Sequence, residues 1–211
     1  MTHSILSDLK WRYATKKFDS SKKVDAEQFE ILKNVLRLTP SSYGLQPYKF
    51  LLIENPEIRK KLQENAHNQS PITEASHLIL FCLNLKINSE LVASHVTNTA
   101  HTRQLKIENL KSYEFHLNSA LNNMQHNEKL NWAARQAYIA LGHLIQSAAQ
   151  LKIDCIALEG FDHKAFDEVL GLEQKSLQSL VACAIGYRST EDKYQYLTKV
   201  RRSENELFET I

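Results

Sequence analysis

Two clusters of basic residues lie near opposite ends of the 211-residue sequence, and together they could bind a phosphate group. Arg12 and Lys16, with Thr15 beside them, form the first cluster, and Lys199 and Arg201 form the second. Arginine can donate two parallel hydrogen bonds to a phosphate monoester, and lysine adds a compact positive charge. Each cluster alone is typical of solvated surface, so the prediction holds only if the fold brings the two clusters together.

A polar loop that contains Pro40, Ser41, Ser42 and Gly44 lies between two strongly patterned segments. Apolar residues before the loop recur every three or four positions, which predicts a helix with one buried face. The continuous apolar run after the loop predicts a strand that is covered on both faces. An ordinary solvated loop would have the same composition, so the loop is only a candidate binding site. The residues of the two patterns are Phe29, Ile31, Leu32, Val35, Leu36 and Leu38, and then Phe50, Leu51, Leu52 and Ile53.

Asn68 and the pair Glu159-Gly160 are candidates for contacts with a flat heterocyclic ring. An asparagine amide offers both a donor and an acceptor, as the edge of a pyrimidine ring does. Glycine has no side chain, so its backbone can approach such a ring closely. The pair follows an apolar run that ends at Leu158, and a plain strand-to-helix turn is an equally good interpretation of it.

Composition and residue spacing limit the possible partners and cofactors. Hydrophobic residues make up 43% and charged residues 24%, which is typical of a globular protein. The net charge of +2 gives no reason to expect nucleic acid or a membrane as a partner, and the sequence contains no pattern of a membrane helix or signal peptide. Cys82, Cys155 and Cys183 each lie inside an apolar run, which predicts reduced thiols, a cytoplasmic location and no metal site. The five glycines are widely separated, which excludes the dinucleotide fingerprint and the phosphate-binding loop.

The order of helix and strand patterns predicts one mixed α+β domain over residues 1–211. A short helix at the start would bury Ile5, Leu6 and Leu9. A weaker helical pattern at about 84–131 predicts helices that project from the core. The predicted helix caps are Asp25, Asn55 and Asp162, and the predicted later strands cover residues 78–83, 153–158 and 180–187.

Residues 132–151 are apolar almost all round, which predicts a helix at the centre of the fold. Gly142 lies within this helix and costs about 1 kcal/mol relative to alanine. We therefore expect another backbone to pack closely against it. A helix of this kind also suits the interface of a dimer.

Five short motifs, taken in order along the chain, resemble the FMN-dependent nitroreductase family. Each motif alone is weak, but their order over most of the chain makes the resemblance specific. Trp132, Gln136 and Tyr138 also resemble the start of the family's central dimer helix. The five motifs are Arg12-Tyr13-Ala14-Thr15-Lys16, Pro40-Ser41-Ser42 with Gln46-Pro47, His67-Asn68-Gln69, Leu158-Glu159-Gly160-Phe161-Asp162 and Leu197-Thr198-Lys199-Val200-Arg201.

The resemblance implies a mainly antiparallel sheet flanked by helices, in an intertwined homodimer with FMN at the interface. NADH or NADPH would reduce the flavin at N5, and a nitroaromatic, quinone, flavin or pteridine would then accept the electrons in a two-electron, ping-pong reaction. No side chain is implied as catalytic, and Lys16 and Glu159 would tune the flavin. The implied cofactor-binding residues are Arg12, Tyr13, Ala14, Lys16, Pro40, Ser41, Ser42, Gly44, Asn68, Gln136, Leu158, Glu159, Gly160, Lys199 and Arg201, and the implied substrate-binding residues are Lys16, Asn68, Pro71 and Phe115.

Four positions depart from the family's pattern. Ala14 replaces the usual serine, Gly44 a common asparagine, and Tyr48 a common tryptophan. Pro71 falls where some members have a second lysine, which leaves Lys16 as the main cation near the flavin. These departures bear on the redox potential of the flavin.

Two other functions stay open on the sequence alone. A non-catalytic flavin- or phosphate-binding protein would carry the same clusters of charge. A serine hydrolase built on Ser41 or Ser42 would lack the Gly-x-Ser-x-Gly elbow. The sequence does not distinguish NADH from NADPH, nor one electron acceptor from another.

Overall fold

The structure, a computed structural model, describes residues 4–211 and alternates helices with the strands of one sheet. Short 3₁₀ turns cover Ser42–Gly44, Ile107–Leu110, Glu173–Lys175 and Lys193–Tyr196. The helices are α1 Ser4–Trp11, α2 Ala26–Leu38, α3 Pro56–Glu64, α4 Pro71–Glu74, α5 Ser89–Arg103, α6 Lys111–Asn122, α7 His126–Gln150, α8 His163–Leu170 and α9 Glu204–Leu207. The strands are β1 Tyr48–Leu52, β2 His77–Asn84, β3 Asp154–Leu158 and β4 Leu177–Gly186.

The strands pair in the order β1-β2-β4-β3, and every one of these pairings is antiparallel. β2, β3 and β4 overlap the three strands that the sequence predicted at 78–83, 153–158 and 180–187. β1 and β3 are the two edges of the sheet. The prediction that the run at Phe50–Ile53 is covered on both faces was wrong, because β1 is an edge strand on which Leu52 is exposed.

Side chains of β2 point alternately into two hydrophobic clusters, one on each face of the sheet. Leu78, Leu80 and Cys82 pack into the cluster beneath α3 and α8, whereas Ile79 and Phe81 pack into the cluster beneath α2 and α7. Burial on both faces explains why this strand is a continuous apolar run. A third cluster joins α5 and α6 to the first turns of α7, so the helical pattern between β2 and α7 is confirmed.

The predicted N-caps are confirmed, whereas two predictions of buried helix faces were partly wrong. Asp25, Asn55 and Asp162 each accept hydrogen bonds from backbone N–H groups in the first turns of α2, α3 and α8. In α2, Ile31 and Leu38 are exposed, because only about a third of a helix surface can face one sheet. The buried members of its predicted face are Phe29, Leu32 and Leu36.

In α1, the expected burial of Ile5, Leu6 and Leu9 was wrong, because all three side chains are exposed in the protomer. The buried residue is Asp8, whose carboxylate receives a hydrogen bond from Lys152 Nζ at 2.5 Å.

The central helix α7 begins six residues earlier than its apolar pattern, with a capping box formed by Gln125 and Glu128. Its buried side chains pack on the sheet as predicted. The expected close packing at Gly142 was wrong within the protomer: a Cβ there would have no neighbour within 4 Å. Tyr138, Ile139 and Gly142 instead form an exposed stripe on α7.

The three cysteines are free and buried, as predicted. Within residues 4–211, no helix is both long and apolar enough to cross a membrane. The same part of the chain has no group of three histidine, cysteine or acidic residues that could hold a metal ion.

Candidate functional site

The fold brings the two basic clusters together around one cavity of about 330 Å³. One wall is the segment that follows α1, and the other is the tail after Lys193–Tyr196. Among the described residues, no acidic side chain lines the cavity. The lining residues are Lys10, Trp11, Arg12, Tyr13, Ala14, Lys16, Tyr194, Gln195, Leu197, Thr198, Lys199 and Arg201.

The first wall is held by the edge strand β3 and by a buried carboxylate. Ala14 forms an isolated parallel bridge with Cys155, which places residues 12–16 along the free edge of β3. Asp192, only 2% exposed, accepts hydrogen bonds from Tyr13 Oη at 2.8 Å and from the Lys16 N–H at 2.7 Å. Burial favours the neutral acid, but these donors outweigh it and lower the pKa of Asp192. Burial and the neighbouring Asp192 raise the pKa of Tyr13.

In the part of the chain that the structure describes, the cations of the cavity form no salt bridge with a carboxylate. Lys199 Nζ donates a hydrogen bond to the backbone carbonyl of Arg12, a neutral acceptor. Burial, and then the charges of Arg12 and Arg201, lower the pKa of Lys199. Arg12 Nε is buried and has no hydrogen-bond partner among the described residues. A phosphate monoester, with about two negative charges at neutral pH, fits this donor set.

Thr15 does not belong to the cavity, although the sequence grouped it with Arg12 and Lys16. Its side chain is fully buried, with Oγ1 3.4 Å from Asp154 Oδ1. Asp154 also receives hydrogen bonds from the Arg188 N–H at 3.0 Å and from Arg188 Nε at 2.9 Å. The Arg188 guanidinium in turn stacks over the rings of Trp11 and Tyr13, at 4.3 and 4.6 Å.

Asp154, Arg188 and Asp192 are therefore positioning residues that sequence reasoning missed. One signal was available for Asp154, a carboxylate inside the otherwise apolar run Ile153–Leu158. A buried charge in such a run needs a partner. No comparable signal marked Asp192, which lies in a polar tail.

The far end of β3 brings Glu159-Gly160 beside the Asn68 loop. The Gly160 carbonyl accepts a hydrogen bond from Gln69 Nε2 at 2.9 Å, and a Cβ on Gly160 would lie 3.7 Å from His67. Glu159 Oε1 accepts a hydrogen bond from Tyr138 Oη of α7. Burial and this contact with Glu159 raise the pKa of Tyr138.

His67 and Asn68 have positive φ angles of 52° and 55°, which side-chain-bearing residues rarely adopt. The exposed Asn68 side chain is thus presented on a constrained loop. This end of β3 follows Leu158, the last residue of the strand, whereas Ala14 of the cavity pairs with Cys155 near the start of the strand.

The Pro40 loop, residues 40–46, is held from behind by α7. Gln136 is 6% exposed, and its Oε1 accepts a hydrogen bond from the Ser42 N–H at 2.8 Å. Its Nε2 donates to the Trp132 carbonyl at 3.1 Å. The amide is therefore satisfied inside the protomer, so Gln136 supports the loop. Ser41 Oγ accepts a hydrogen bond from the Gln46 N–H at 3.1 Å, a bond that stabilises the loop.

Gly44 has a physical reason to replace asparagine in this loop. Its φ is +71°, and an added Cβ would lie only 3.1 Å from His95 Cε1. Asparagine tolerates the dihedral angle, but glycine alone avoids this contact as well.

A network that the sequence did not reveal ties the same loop to α5 and α6. Tyr113 Oη donates to the Tyr43 carbonyl at 3.2 Å and lies 3.2 Å from His95 Nε2. Because the Tyr113 hydrogen is used in the first bond, His95 donates the second from Nε2–H. Burial, and then the charge of Arg103, lower the pKa of His95.

Two predicted residues, Pro71 and Phe115, lie apart from these groups. Pro71 is buried at the start of α4, and its contact with a substrate stays a prediction. Phe115 is 75% exposed on α6. Gln136 and Tyr138, two residues apart on α7, point about 200° apart, so the Pro40 loop and Glu159 lie on different sides of this helix.

The sequence profile of the Nitroreductase family matches residues 9–187. The chain is 35% identical to the major NAD(P)H-flavin oxidoreductase of Aliivibrio fischeri over 203 residues, 92% of each chain. It is 28% identical to the oxygen-insensitive NAD(P)H nitroreductase of Enterobacter cloacae over 93% of this chain and 94% of that one. A protein of Exiguobacterium sibiricum, assigned to the nitroreductases and solved with FMN, superposes with a TM-score of 0.84 at 18% identity, covering 100% of this chain and 99% of the other.

The site combines a cation-lined cavity at the edge of an antiparallel sheet with the Glu159-Gly160 turn at the far end of the same strand. This combination defines an α+β protein suited to a mononucleotide. The profile match and the identity to curated relatives show which family this is: the chain belongs to the nitroreductase family. The predicted family and fold class are thereby confirmed. Family membership carries the predicted enzyme class, an oxidoreductase with FMN as cofactor and NAD(P)H as electron donor.

Proposed function

We propose that FMN lies beside residues 12–16 at the edge of β3, with its phosphate in the cavity of Arg12, Lys199 and Arg201 and its ring near Glu159-Gly160. The observation that carries this proposal is the positive charge of that cavity, including the buried Arg12 Nε, which has no hydrogen-bond partner among the described residues. The orientation of the cofactor follows from the two ends of β3, because the basic cavity lies at one end and Glu159-Gly160 follows the other.

The chain contributes binding, orientation and charge. When bound, FMN supplies the transfer of an electron pair from NAD(P)H to an oxidised acceptor. Lys16, exposed on the cavity wall, supplies a positive charge that favours added negative charge nearby. The exposed Asn68 amide presents a donor and an acceptor to the ring or to a substrate. Tyr138 fixes the carboxylate of Glu159 at the far end of β3.

We infer that the working unit is a homodimer and that the Pro40 loop of each subunit completes the site of the other. Within a protomer, α7 separates this loop from Glu159. Exposed apolar side chains on α1 and α7 support such an interface, because they would otherwise face water. These side chains are Ile5, Leu6, Leu9, Tyr138 and Ile139.

The acceptors that we propose are nitroaromatics, quinones, free flavins and pteridines. All are flat and electron-poor, and each would use the same face of the flavin that NAD(P)H has left. One site used in turn gives ping-pong kinetics. Exposed Phe115, with Lys16 and Asn68, would contact the acceptor. A cytoplasmic location is supported by the three free, buried cysteines.

Substitution of the second basic cluster tests the phosphate assignment. We expect the Lys199→Ala/Arg201→Ala double variant to fold but to bind FMN at least about a hundredfold more weakly, because two charge-assisted contacts are lost. Flavin content is measured by absorbance of the purified protein and affinity by fluorescence titration. The matched control is Lys193→Ala/Arg202→Ala, which removes two exposed cations that do not line the cavity. Stoichiometric FMN in the first variant would disprove the assignment.

Anaerobic reduction separates an enzyme from a passive flavin binder. The yellow holoenzyme should bleach when NADH or NADPH is added under argon and recover its colour when a quinone follows. A protein that stays yellow with both donors would be a carrier of flavin rather than a reductase.

A further inference from the structure

A second cavity, of about 270 Å³, lies outside the candidate flavin site and shares none of the residues that line the first. It is bounded by Lys23, two residues before the cap of α2, by the start of α3 and by the turn between α4 and β2. Its lining residues are Lys23, Glu54, Pro56, Arg59, Thr73, Ser76 and His77.

Arg59 is the unusual residue of this cavity, because it is only 7% exposed and its fixed bonds are to neutral groups. Nε donates to the Ile53 carbonyl at 2.7 Å, and the two terminal nitrogens donate to the carbonyls of Ala75 and Ser76 at 2.7 and 3.2 Å. Within residues 4–211, no carboxylate lies within salt-bridge distance of it. Burial lowers the pKa of Arg59.

This arrangement fixes the orientation of the guanidinium and leaves part of its hydrogen-bonding capacity unused. A guanidinium carries five N–H donors, and the three carbonyls take three of them. Arginine is rarely buried without a paired anion, because a buried charge is costly. An anion in the adjoining cavity would supply the missing charge and accept the two remaining N–H groups.

Lys23 adds a second positive charge to the same cavity, and the His77 ring adds a nitrogen donor. The His77 ring stacks on Phe29 with a centroid distance of 3.6 Å, and its Nδ1 lies 3.0 Å from Ser76 Oγ. When Ser76 donates to Nδ1, Nε2–H remains as a further donor. Burial, and then the charge of Arg59, lower the pKa of His77.

We propose that this cavity is a binding site for a small tetrahedral oxyanion, either free phosphate or the phosphate of a small monoester. Arg59 is the preoriented buried cation, Lys23 the mobile one, and His77 the third donor. Glu54, exposed at the rim, opposes the anion, so the fixed groups carry a net charge of one positive unit. His77 increases this charge when an anion favours its protonation.

Occupation of the site would connect two segments of the chain. Val24 donates its N–H to Ser76 Oγ at 2.9 Å, two residues before α2. The turn that carries Ser76 follows α4 and the Asn68 loop. An anion bound by Lys23 and Arg59 would therefore fix the segment before α2 against the turn that follows the Asn68 loop and α4.

The test uses the FMN-loaded protein, so that the phosphate cavity is already filled, and follows the His77 imidazole proton by NMR. The resonance is assigned with His77→Gln. We expect inorganic phosphate to shift it in a saturable manner and to raise the pKa of His77. Ribose 5-phosphate serves as the second probe: tighter binding than inorganic phosphate indicates a monoester as the ligand, and weaker binding indicates the free ion.

Three variants decide whether the charges act as described. Lys23→Met should weaken phosphate binding about tenfold. Lys22→Met, which removes the neighbouring lysine that pairs with Asp19, should leave the binding unchanged. Glu54→Gln should tighten it. The proposal is overturned if neither probe shifts the His77 resonance, or if Lys22→Met and Lys23→Met weaken binding equally. Because each readout is independent of flavin reduction, this outcome would not affect the proposed enzyme activity.

Discussion

The basic segment at residues 12–16 and the Pro40 loop are both proposed to contact the cofactor, but different interactions hold the two segments in place. Buried carboxylates fix the basic segment: Asp192 binds Tyr13 and the Lys16 N–H. The Pro40 loop is fixed by neutral groups, Gln136 of α7 and Tyr113 of α6. The first region is complete within one protomer. The second is supported by α6 and α7 of its own protomer and, in the proposed dimer, completes the site of the other subunit.

This difference has a physical consequence for each region. Charge-assisted hydrogen bonds are about twice as strong as neutral ones, so the phosphate end should be rigid before FMN binds. The Pro40 loop keeps Tyr43 and Gln46 at positive φ angles of 59° and 42°, which only surrounding contacts can maintain. Variants that remove one kind of support at a time test the contrast.

The largest effect on FMN binding should come from separating the subunits of the proposed dimer. Ile139→Glu places a charge on the exposed stripe of α7, which should give a folded monomer that has lost FMN. Burying an unpaired carboxylate at an interface costs several kcal/mol, enough to dissociate a micromolar dimer. Light scattering with absorbance detection reports mass and flavin together.

A matched control for this variant is Leu105→Glu, an equally exposed position outside α7. It should remain a flavin-loaded dimer. A dimer with full FMN content in Ile139→Glu would show that this stripe is not the interface.

Loss of the buried Asp192 carboxylate should have the next largest effect on FMN binding. Asp192→Ala removes the acceptor of the Tyr13 and Lys16 bonds, and we expect FMN affinity to fall about a hundredfold, by about 2.7 kcal/mol. Glu191→Ala, which removes an exposed carboxylate that pairs with Lys17, should change the affinity little. Fluorescence titration of the apoproteins with FMN measures both, and equal losses would contradict the role of Asp192.

The pH dependence of this contribution follows from the direction of the pKa shift. Because the folded protein lowers the pKa of Asp192, its stabilisation is complete above the ordinary carboxyl value of 3.8. The stabilisation is lost as the pH falls through the lowered folded-state value. Wild type and Asp192→Ala should therefore differ in FMN affinity by a constant factor between neutral pH and about pH 5.

Lys16→Ala should have an intermediate effect on the flavin itself. Removal of this cation should lower the two-electron potential by about 30 mV, which corresponds to about 1.4 kcal/mol, and slow reduction by NAD(P)H. FMN should still bind, more weakly. Photoreduction with a reference dye measures the potential, and Lys17→Ala is the control because Lys17 pairs with Glu191. An unchanged potential in Lys16→Ala would remove Lys16 from this role.

The smallest effect should come from Tyr113→Phe, which removes one neutral hydrogen bond to the Tyr43 carbonyl and leaves His95 Nε2–H without its acceptor. We expect a loss of about 1 kcal/mol, seen as an increase of about fivefold in KM for the acceptor with kcat nearly unchanged. Tyr196→Phe, at an exposed position, is the control. A change as large as that of Asp192→Ala would mean that the two regions are not held differently.

The sequence predicted the caps at Asp25, Asn55 and Asp162 and the meeting of the two basic clusters, because each depends on local chemistry or on motif order. It failed where burial depends on position within the whole fold. An apolar run does not show whether its strand is an edge, as β1 is.

Apolar spacing likewise does not show whether a neighbour or a second subunit covers a face, as with Leu6 on α1 and Gly142 on α7. The support of the site was missed for a related reason. Asp192 and Tyr113 act through partners 176 and 70 residues away in sequence, and a local pattern carries no sign of such pairs.

The edge position of β3 has a consequence for the life of the chain before it acquires its cofactor. Residues 12–16 run beside the outer edge of this strand through the bridge between Ala14 and Cys155. Unpaired edges are templates for intermolecular strand pairing. A chain in which this segment has detached would therefore expose the edge of β3 to a strand of another chain, and cofactor contacts that hold the segment in place would also oppose aggregation.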